Sequence, residues 1–334
     1  MAGCDQARTI GKSIDRHRIV PIHRFDQAAI APRRAAGWDG TRPFRDTERL
    51  PARSALRPSR AHGHGPASVP MPPRDGRACL PNLNIRDRLD AGRPVFGTFL
   101  KINAPVLVEL TAMAGFDFVI IDVEHCCFTH EQIEMLIRTA ELAGIGAVVR
   151  TPDAGETGIL HALDSGASGV QVPSVRTVDE ARAAVRHARH HPLGERGFAR
   201  ANRSARYGAM PLSDYFRDAN RTLLTIHVEN AAMVDAIGAL CAVPSIDVLF
   251  LGAADLSQSL GVPGEQDHPA VRRALDTVID HALAAGRHVG AVASNADEAE
   301  ALIARGIRYI AWQSDIAILR AALDGAARQF RGLR

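Results

Sequence analysis

The chain has 334 residues, of which 46% are hydrophobic, and its formal net charge is +3. That length accommodates one α/β barrel or two medium-sized domains, with enough apolar residues for a sizeable core. No stretch approaches the roughly 18 uncharged apolar residues of a membrane span, so we expect no membrane partner. The charge is unevenly distributed, because residues 1–85 carry about +8 and the remainder about −5. An acidic remainder argues against a nucleic-acid partner, since phosphate backbones require basic surfaces.

Residues 1–85 differ in composition from the rest of the chain. They hold ten of the 19 prolines and 14 arginines, and they sustain no apolar period. Such a segment cannot bury enough apolar surface to offset its ordering entropy, and it lacks the apolar core of a secretory signal. We predict a disordered or non-native N-terminal extension over 1–85, with Met71 as a possible true start. The alternatives to a start at Met71 are a genuine disordered tail and a targeting or nucleic-acid-binding arm. A barrel domain over 86–334 follows.

From Leu89 onward, short apolar runs alternate with amphipathic helical periods. Helices repeatedly close on glycine shortly before an apolar strand, as left-handed capping before a buried parallel strand predicts. Eight such strands fit a closed (β/α)8 TIM barrel better than a doubly wound sheet. The predicted strands are 94–100, 116–122, 146–150, 169–173, 222–229, 247–252, 288–294 and 309–315.

Four of the predicted strands end in polar residues. Catalytic residues of a TIM barrel lie at the carboxyl ends of its strands. Several kinds of charged group around one mouth therefore favour a catalytic site over ordinary solvated loop charges. The residues are Asp122, Glu124 and His125 after strand 2, Arg150 after strand 3, His227 and Glu229 after strand 5, and Asp255 after strand 6.

Glu229 and Asp255 follow neighbouring strands, so we expect their carboxylates to converge. Two hard oxygen ligands, with the remaining positions left to water and substrate, are how Mg²⁺ or Mn²⁺ is commonly held. A cation removes the repulsion between the two acids and supplies a Lewis acid for a bound carbonyl. We therefore predict a divalent-metal site. A carboxylate pair for hydrolysis is the alternative, although no aromatic platform for a sugar accompanies it.

The surrounding residues are typical of an enolate-forming site. The run AADLSQSLG indicates a helix start, and its free amides at Ala254 and Asp255 would accept a substrate carboxylate. Arg150 would neutralise the oxygen that becomes an enolate, unless it is only a salt-bridge partner. His125 lies three residues beyond Asp122 and would be a general base if that carboxylate fixes one ring nitrogen. A structural histidine is the alternative.

Two other patterns indicate rival chemistry less strongly. Cys126 and Cys127 offer a thiol nucleophile, but the acidic metal site would then have no task. His187 and His191 have a spacing that suits zinc, yet they lie at a helix end, where cationic side chains suit the dipole. The five cysteines form no CxxC pair and no disulfide framework, so a reducing cytoplasm is the expected setting.

An ordered series of motifs resembles the HpcH/HpaI aldolases, the class II pyruvate aldolases of the phosphoenolpyruvate/pyruvate barrel superfamily. The resemblance runs from about Arg86 to Phe330, and the series is far more specific than any single motif. The matching stretches are GTFLKINAPVLVELTAMAGFDFVIIDVEH, AVVR, GASGVQVPSVRTVDEA, PLGERG, HVEN and LFLGAADLSQSLGVPGEQDHPAV.

The resemblance implies a role for the residues around the predicted metal. It places Mg²⁺, Mn²⁺ or Co²⁺ on Glu229 and Asp255, and the carboxylate of pyruvate on the backbone amides of Ala254 and Asp255. It places Arg150 on the keto oxygen.

The resemblance also implies an acid–base pair and an assembly. Asp122 and His125 would form a dyad, and Glu124 would lie beside the metal and order its water. The chain would form a homohexamer, a trimer of dimers in which the last helix packs on a neighbouring barrel.

The reaction that the resemblance implies is reversible cleavage of a 4-hydroxy-2-keto acid to pyruvate and an aldehyde. Candidate substrates are 4-hydroxy-2-oxoheptanedioate and a 2-keto-3-deoxy sugar acid. A related branch condenses oxaloacetate with acetyl-CoA to citrate in siderophore synthesis, and this is the alternative function. A non-catalytic barrel would predict loss of His125, Arg150, Glu229 or Asp255, and the chain keeps all four. Lys101 is the one lysine in the barrel, so class I chemistry through a Schiff base is a minor alternative.

The chain departs from the family pattern at several positions. Related aldolases commonly have Gln two residues before the metal-binding Glu, where this chain has His227, and strand 8 ends in WQSD. These departures lie near the expected place of the second substrate. We therefore predict that His227 contacts the substrate and that Trp312 is the next residue to consider.

Overall fold

The computed structural model describes residues 82–333. The predicted N-terminal extension, including Met71 as a start, therefore lies outside the described residues except for positions 82–85. Those four residues belong to helix α1 (Asn82–Asp90), which crosses the predicted boundary at residue 86. Helix α1 therefore lies on both sides of the boundary that the composition predicts.

Eight parallel strands close into a barrel in chain order, and the last strand pairs with the first. This confirms the predicted TIM barrel, and every observed strand lies inside its predicted run. The strands are β1 (Val95–Leu100), β2 (Phe118–Asp122), β3 (Gly146–Arg150), β4 (Gly169–Val172), β5 (Leu223–Val228), β6 (Val248–Leu251), β7 (His288–Ala293) and β8 (Tyr309–Ser314).

Helices follow the strands as the amphipathic periods predict. Gly144 ends α3 (His130–Ala143) in the left-handed conformation, with φ of 80°, and β3 begins two residues later. None of the described helices combines the length and apolar character needed to cross a membrane. The remaining helices are α2 (Pro105–Met113), α3 (His130–Ala143), α4 (Glu156–Asp164), α5 (Val178–Ala188), α6 (Leu212–Ala219), α7 (Ala231–Asp235), α8 (Ile237–Cys241), α9 (Ala253–Ser259), α10 (Pro269–Ala284), α11 (Ala296–Ala304) and α12 (Asp315–Arg331).

Alternate strand residues separate two layers of the core. Phe118 and Ile120 of β2 belong to the cluster that fills the barrel. Val119 and Ile121 belong to the larger cluster shared with the surrounding helices. Since side chains alternate with a period of two along a strand, odd or even position decides which strand-end residues point into the barrel. Ile85 of α1 packs on the inner cluster, so α1 closes one end of the barrel.

A buried ion pair fastens the chain at the end of the barrel opposite the strand carboxyl ends. Arg189 is 1% exposed and donates to the Thr222 carbonyl at 2.7 Å and to the Ser245 carbonyl at 3.0 Å. Its guanidinium also contacts Asp247 Oδ2 at 2.8 Å. Arg86 of α1 contacts the other oxygen of Asp247 at 3.0 Å. The pair therefore joins α1, the turn after α5, and the start of β6.

We expect Arg189→Met to lower the free energy of unfolding by about 3–5 kcal/mol, because it leaves the buried Asp247 carboxylate with one cation fewer. Urea unfolding followed by circular dichroism measures the change. Arg182→Met is the matched control, since Arg182 pairs with the exposed Asp179 on the surface of α5 and should cost less than about 1 kcal/mol. Equal losses in the two variants would contradict the stabilising role of the buried pair.

Candidate active site

Because side chains alternate between the two faces of a strand, the predicted polar residues at the strand ends point into the barrel mouth. Asp122 follows the inward-facing Phe118 and Ile120 by the same period of two, and Arg150 follows the inward-facing Val148. Asp122 and Arg150 are paired in register between β2 and β3. Two charged groups are therefore neighbours at the carboxyl ends of adjacent strands, where a TIM barrel carries its chemistry.

Arg150 and Asp122 form a two-point ion pair. Arg150 Nε donates to Asp122 Oδ1 at 2.9 Å, and Nη2 lies 2.7 Å from Oδ2. The guanidinium carbon also lies 4.8 Å from the centroid of the Phe99 ring. Burial acts to raise the pKa of Asp122, but hydrogen bonds and charges from Arg150 and Lys101 outweigh it and lower the pKa to about 2. Asp122 is therefore ionised at neutral pH and holds Arg150 in place.

Lys101, which the sequence indicates only as a minor Schiff-base alternative, also belongs to this group. It follows β1, and its Nζ donates to Asp122 Oδ2. Lys101 lies two residues after the inward-facing Phe99, so the period of two would have pointed to it. Lys101 is thus paired with the buried Asp122 carboxylate, which does not favour its use as a Schiff-base lysine.

His125 is placed differently from the predicted dyad. Its backbone amide, rather than its ring, donates to Asp122 Oδ1 at 3.2 Å. The ring Nε2 instead lies 3.5 Å from Glu124 Oε2, and the His125 side chain is 55% exposed. The Asp122 carboxylate is paired with Arg150 and Lys101. Glu124 is therefore the carboxylate that lies beside the His125 ring.

Glu124 joins the two parts of the site. Its Oε2 lies 3.0 Å from Arg150 Nη1. Burial raises the pKa of Glu124, and the charge of Glu229 acts in the same direction, while Arg150, His125 and His227 act against them. Glu124 is therefore more ready to carry a proton than Asp122 or Glu229, whose pKa values are lowered.

Glu229 is held in one orientation by donors on both oxygens. The Ser174 amide donates to Oε1 at 2.5 Å, and His227 Nδ1 lies 2.8 Å from Oε2. A Cβ at Gly252 would lie 2.7 Å from Oε2, so a side chain there would displace the carboxylate. Burial acts to raise the pKa of Glu229, but the hydrogen bond and charge of His227, the Ser174 amide and Arg150 outweigh it and lower the pKa.

His227, which the sequence predicts to contact the substrate, lies beneath Glu229 and contacts other residues of the barrel. The side chain is buried, and its ring stacks on Phe250 with centroids 4.9 Å apart. Its Nε2 lies 2.6 Å from Gln171 Nε2, while Nδ1 faces Glu229. With Gln171 donating to Nε2, Nδ1–H donates to the carboxylate. Both ring nitrogens are thus used within the barrel, and His227 orients Glu229.

We expect His227→Phe to weaken Mn²⁺ binding by about 10- to 100-fold, because a residue that orients a metal ligand is lost while the stacking on Phe250 is kept. Titration calorimetry with Mn²⁺ measures the change. His227→Gln is the matched variant, since an amide can still donate to Glu229, and it should lose less. Unchanged Mn²⁺ affinity in His227→Phe would contradict the orienting role.

Glu229 and Asp255 share one cavity of about 430 Å³ at the barrel mouth. Asp255 lies in the first turn of α9, directly above β6. The first amides of that helix, including those of Ala254 and Asp255, have no acceptor within the helix. The cavity wall includes Glu124, Ser174, Arg176, Glu229, Asp255 and Gln258. Trp312 packs instead with Ala293, Ala299 and Ile310 outside the barrel.

The residues of the cavity fit a hard divalent cation. Three carboxylates, from Glu124, Glu229 and Asp255, face one space beside a lone arginine, Arg176. Within residues 82–333, no group of three or more His, Cys, Asp or Glu side chains is arranged to hold a metal by itself. Two carboxylates with open positions suit Mg²⁺ or Mn²⁺, which keep water or substrate in the remaining positions. Among the described residues, His187 and His191 belong to no group of three or more such side chains that could hold zinc.

The neighbouring thiols do not favour a cysteine nucleophile. Cys126 and Cys127 are free, and Cys126 is half-buried. Burial raises the pKa of Cys126, and the negative charge of Asp122 acts in the same direction. A raised pKa disfavours the thiolate, which is the nucleophilic form.

The chain is similar to several known proteins. The family model described as HpcH/HpaI aldolase/citrate lyase matches residues 95–322. A 2-keto-3-deoxy-L-rhamnonate aldolase of Escherichia coli is 32% identical over 249 residues, which are 74% of this chain and 92% of the relative.

Two solved structures share the fold over most of their length. An HpcH/HpaI aldolase from Desulfitobacterium hafniense DCB-2 is 28% identical with a TM-score of 0.71, covering 74% of this chain and 96% of that one. The citrate synthase SbnG is 30% identical with a TM-score of 0.69, covering 75% and 99%. Divalent-metal dependence is general among the aldolases of the matched family. The resemblance seen in the motifs is confirmed: the chain belongs to the HpcH/HpaI aldolase/citrate lyase family and is a carbon–carbon lyase that acts on small molecules.

Proposed function

We propose that the chain cleaves a 4-hydroxy-2-keto acid reversibly to pyruvate and an aldehyde, with a divalent metal held by Glu229 and Asp255. The observation that carries the proposal is the shared cavity of these two carboxylates, beside Glu124 and at the mouth of a family barrel. When bound, the metal would supply a Lewis acid that polarises the 2-keto group. Mg²⁺, Mn²⁺ and Co²⁺ are the candidates.

The residues of the chain have distinct tasks in this proposal. The amides of Ala254 and Asp255 receive the substrate carboxylate at the start of α9. Arg150 stabilises the negative charge on the C2 oxygen. Three of its nitrogens already contact Asp122 and Glu124, and a guanidinium has five N–H groups, so two donors are left for substrate. Asp122 keeps the arginine in position rather than moving a proton itself.

His125 and Glu124 are the acid–base pair of the proposal. Removal of the proton from the 4-hydroxyl group by His125 lets the C3–C4 bond break, and the aldehyde leaves. The electron pair of that bond passes to C3, C2 and the C2 oxygen as the enolate of pyruvate. Protonation at C3 then gives pyruvate. The exposed ring of His125 beside Glu124 supports this assignment, because the pair can exchange protons with solvent.

A substrate panel tests the proposal. Purified protein with Mg²⁺, Mn²⁺ or Co²⁺ is offered 2-keto-3-deoxy-L-rhamnonate and 4-hydroxy-2-oxoheptanedioate, and pyruvate is detected with lactate dehydrogenase. We expect pyruvate from at least one of the two, and none after chelation of the metal. The first compound is included because one relative of this chain is a 2-keto-3-deoxy-L-rhamnonate aldolase.

Condensation of oxaloacetate with acetyl-CoA is the second candidate function. The match to a citrate synthase, with a TM-score of 0.69, favours it, and the same enolate residues would serve both reactions. Release of the free thiol from acetyl-CoA in the presence of oxaloacetate, with no pyruvate from the hydroxy-keto acids, would replace the aldolase proposal.

The assembly we propose is a homohexamer in which α12 packs on a neighbouring barrel. The helix leaves apolar side chains at the surface of the single chain, with Leu323 61% exposed and Ile316 48% exposed. Val106 and Leu110 of α2 are exposed as well. Light scattering should report six chains per particle, and Leu323→Asp should reduce that number. A monomeric wild type would contradict the assembly. A cytoplasmic setting, consistent with the free thiols of Cys126, Cys127 and Cys241, remains part of the proposal.

A further inference from the structure

Arg176 occupies a fixed position on the wall of the metal cavity. It lies four residues beyond the end of β4, and its own amide donates to Glu180 Oε2 at 2.7 Å. The carbonyl of the preceding Val175 accepts from Asn230 Nδ2 at 2.7 Å. The Ser174 amide donates to Glu229 at 2.5 Å. Three hydrogen bonds therefore fix the backbone of this loop beside the proposed metal ligand.

The guanidinium of Arg176 is uncommitted. Within residues 82–333, it makes no ion pair and donates no hydrogen bond, and the nearby Glu180 carboxylate accepts from the Arg176 backbone amide instead. Arg150, in contrast, is paired with both Asp122 and Glu124. An unpaired arginine is common on an open surface, but Arg176 lines the cavity that holds Glu229 and Asp255.

Gln258 is the second uncommitted group on the same wall. It lies one helical turn beyond Asp255 on α9, so the two residues share a face of that helix. No hydrogen bond of its side-chain amide is formed within the described part of the chain. Asn230, by comparison, is occupied on both side-chain atoms, by Val175 and Met233. Arg176 and Gln258 therefore keep side-chain N–H donors available for a ligand on this wall, alongside the serine hydroxyls.

We propose that Arg176, with Gln258 beside it, binds a carboxylate at the far end of the aldehyde half of the substrate. The amides of α9 and Arg150 serve the pyruvate half in the proposed function, on which this inference rests. A planar guanidinium matches a carboxylate with two parallel hydrogen bonds. The chain would therefore prefer 4-hydroxy-2-keto diacids over sugar acids, whose aldehyde half is neutral.

The test is the choice between matched aldehydes in the synthetic direction. Pyruvate and metal are combined with succinic semialdehyde or with butanal, which has the same length and no charge. The same comparison is made for glyceraldehyde 3-phosphate against glyceraldehyde, because a phosphate would also attract an arginine. The ratio of kcat/KM within each pair is measured in wild type, Arg176→Gln, Arg176→Lys and the control Arg182→Gln. A ratio is insensitive to partial loss of folded enzyme.

We expect Arg176→Gln to lower the preference for succinic semialdehyde over butanal by about 10- to 100-fold, the size of a lost charged hydrogen bond. Arg176→Lys should give a ratio between those of wild type and Arg176→Gln, because it keeps the charge but loses the planar guanidinium that donates two parallel hydrogen bonds. Arg182→Gln should not change the ratio. An unchanged ratio in Arg176→Gln, or a change confined to the phosphate pair, would overturn the carboxylate assignment. Failure of the wild type to exchange the methyl protons of pyruvate would instead remove the proposed function.

Discussion

Glu229→Gln is expected to lose at least about 10³-fold in kcat/KM for cleavage, together with most of its affinity for Mn²⁺. Lewis-acid polarisation of a carbonyl contributes several kcal/mol, and each 1.4 kcal/mol is tenfold in rate. The variant keeps the shape of the side chain but removes the charge that faces the cavity.

The environment of Glu229 makes this substitution unusually severe. Both carboxylate oxygens receive hydrogen bonds, from Ser174 and from His227. A glutamine turns an N–H₂ group toward one of these donors, so one hydrogen bond is replaced by a repulsive contact. The side chain is therefore expected to rotate away from the position that the metal requires.

Glu300→Gln is the control for this variant, because Glu300 lies exposed on α11, away from the barrel mouth. Calorimetry with Mn²⁺ and a coupled pyruvate assay are made on both variants. If Glu229→Gln bound Mn²⁺ as tightly as Glu300→Gln, the assignment of Glu229 as a metal ligand would be wrong.

Arg150→Met is expected to lose stability at neutral pH as well as activity. Asp122 is fully buried, and burial acts to raise its pKa. Removal of the arginine breaks the two-point ion pair, and Lys101 alone remains to balance the charge. We expect the free energy of unfolding to fall by about 3 kcal/mol. The rate should fall by about 10²–10³-fold, since the donors to the enolate oxygen are lost.

The pKa of Asp122 determines how the stability loss in Arg150→Met changes with pH. In the wild type the pKa of Asp122 is about 2, below the ordinary value of about 3.9. The ionised carboxylate therefore stabilises the fold above about pH 4, and that contribution is lost as the pH falls from about 4 toward 2. In Arg150→Met the folded pKa rises, so the deficit against wild type should shrink as the pH falls.

Urea unfolding at pH 7 and at pH 4 measures that deficit. Arg150→Lys is the matched variant, because it keeps a positive charge beside Asp122 but loses the planar guanidinium that contacts both carboxylate oxygens. It should retain more stability than Arg150→Met while remaining slow. A deficit of Arg150→Met that grew on acidification would contradict the proposed coupling between the two residues.

The barrel could be predicted from the sequence because its signals are local. A glycine such as Gly144 closes a helix in the left-handed region, and an apolar strand follows within a few residues. The helix α1 had no such signal, since it lies at the edge of a segment rich in arginine and proline. Its place is set by contacts with the barrel interior through Ile85 and with β6 through Arg86.

The candidate site could be predicted as a set of residues but not as a set of contacts. Strand ends and the period of two bring Asp122, Arg150 and Glu229 to one mouth. The partner of each side chain depends on the neighbouring strand. His227 faces Gln171 of β4 and Glu229 at once, which no spacing within β5 reveals.

The two residues with the least sequence signal are Lys101 and Arg176. Lys101 lies two residues after the inward-facing Phe99 of β1, so the alternation of side chains predicts that it points into the barrel. Its charge alone does not indicate which residue it pairs with. Arg176 lies in a loop with no periodicity. Its importance follows from the cavity that β4, β5 and β6 build around Glu229 and Asp255.

Exchange of the methyl protons of pyruvate in D₂O tests the central proposal most directly, because it needs the enolate and no second substrate. Proton NMR follows the loss of the methyl signal in wild-type protein and in Asp255→Asn, each after chelation and after addition of Mg²⁺, Mn²⁺ or Co²⁺. We expect exchange in the metal-loaded wild type, none after chelation, and none in Asp255→Asn under any condition. Full exchange in the chelated wild type or in Asp255→Asn would contradict a metal-assisted enolate at Glu229 and Asp255.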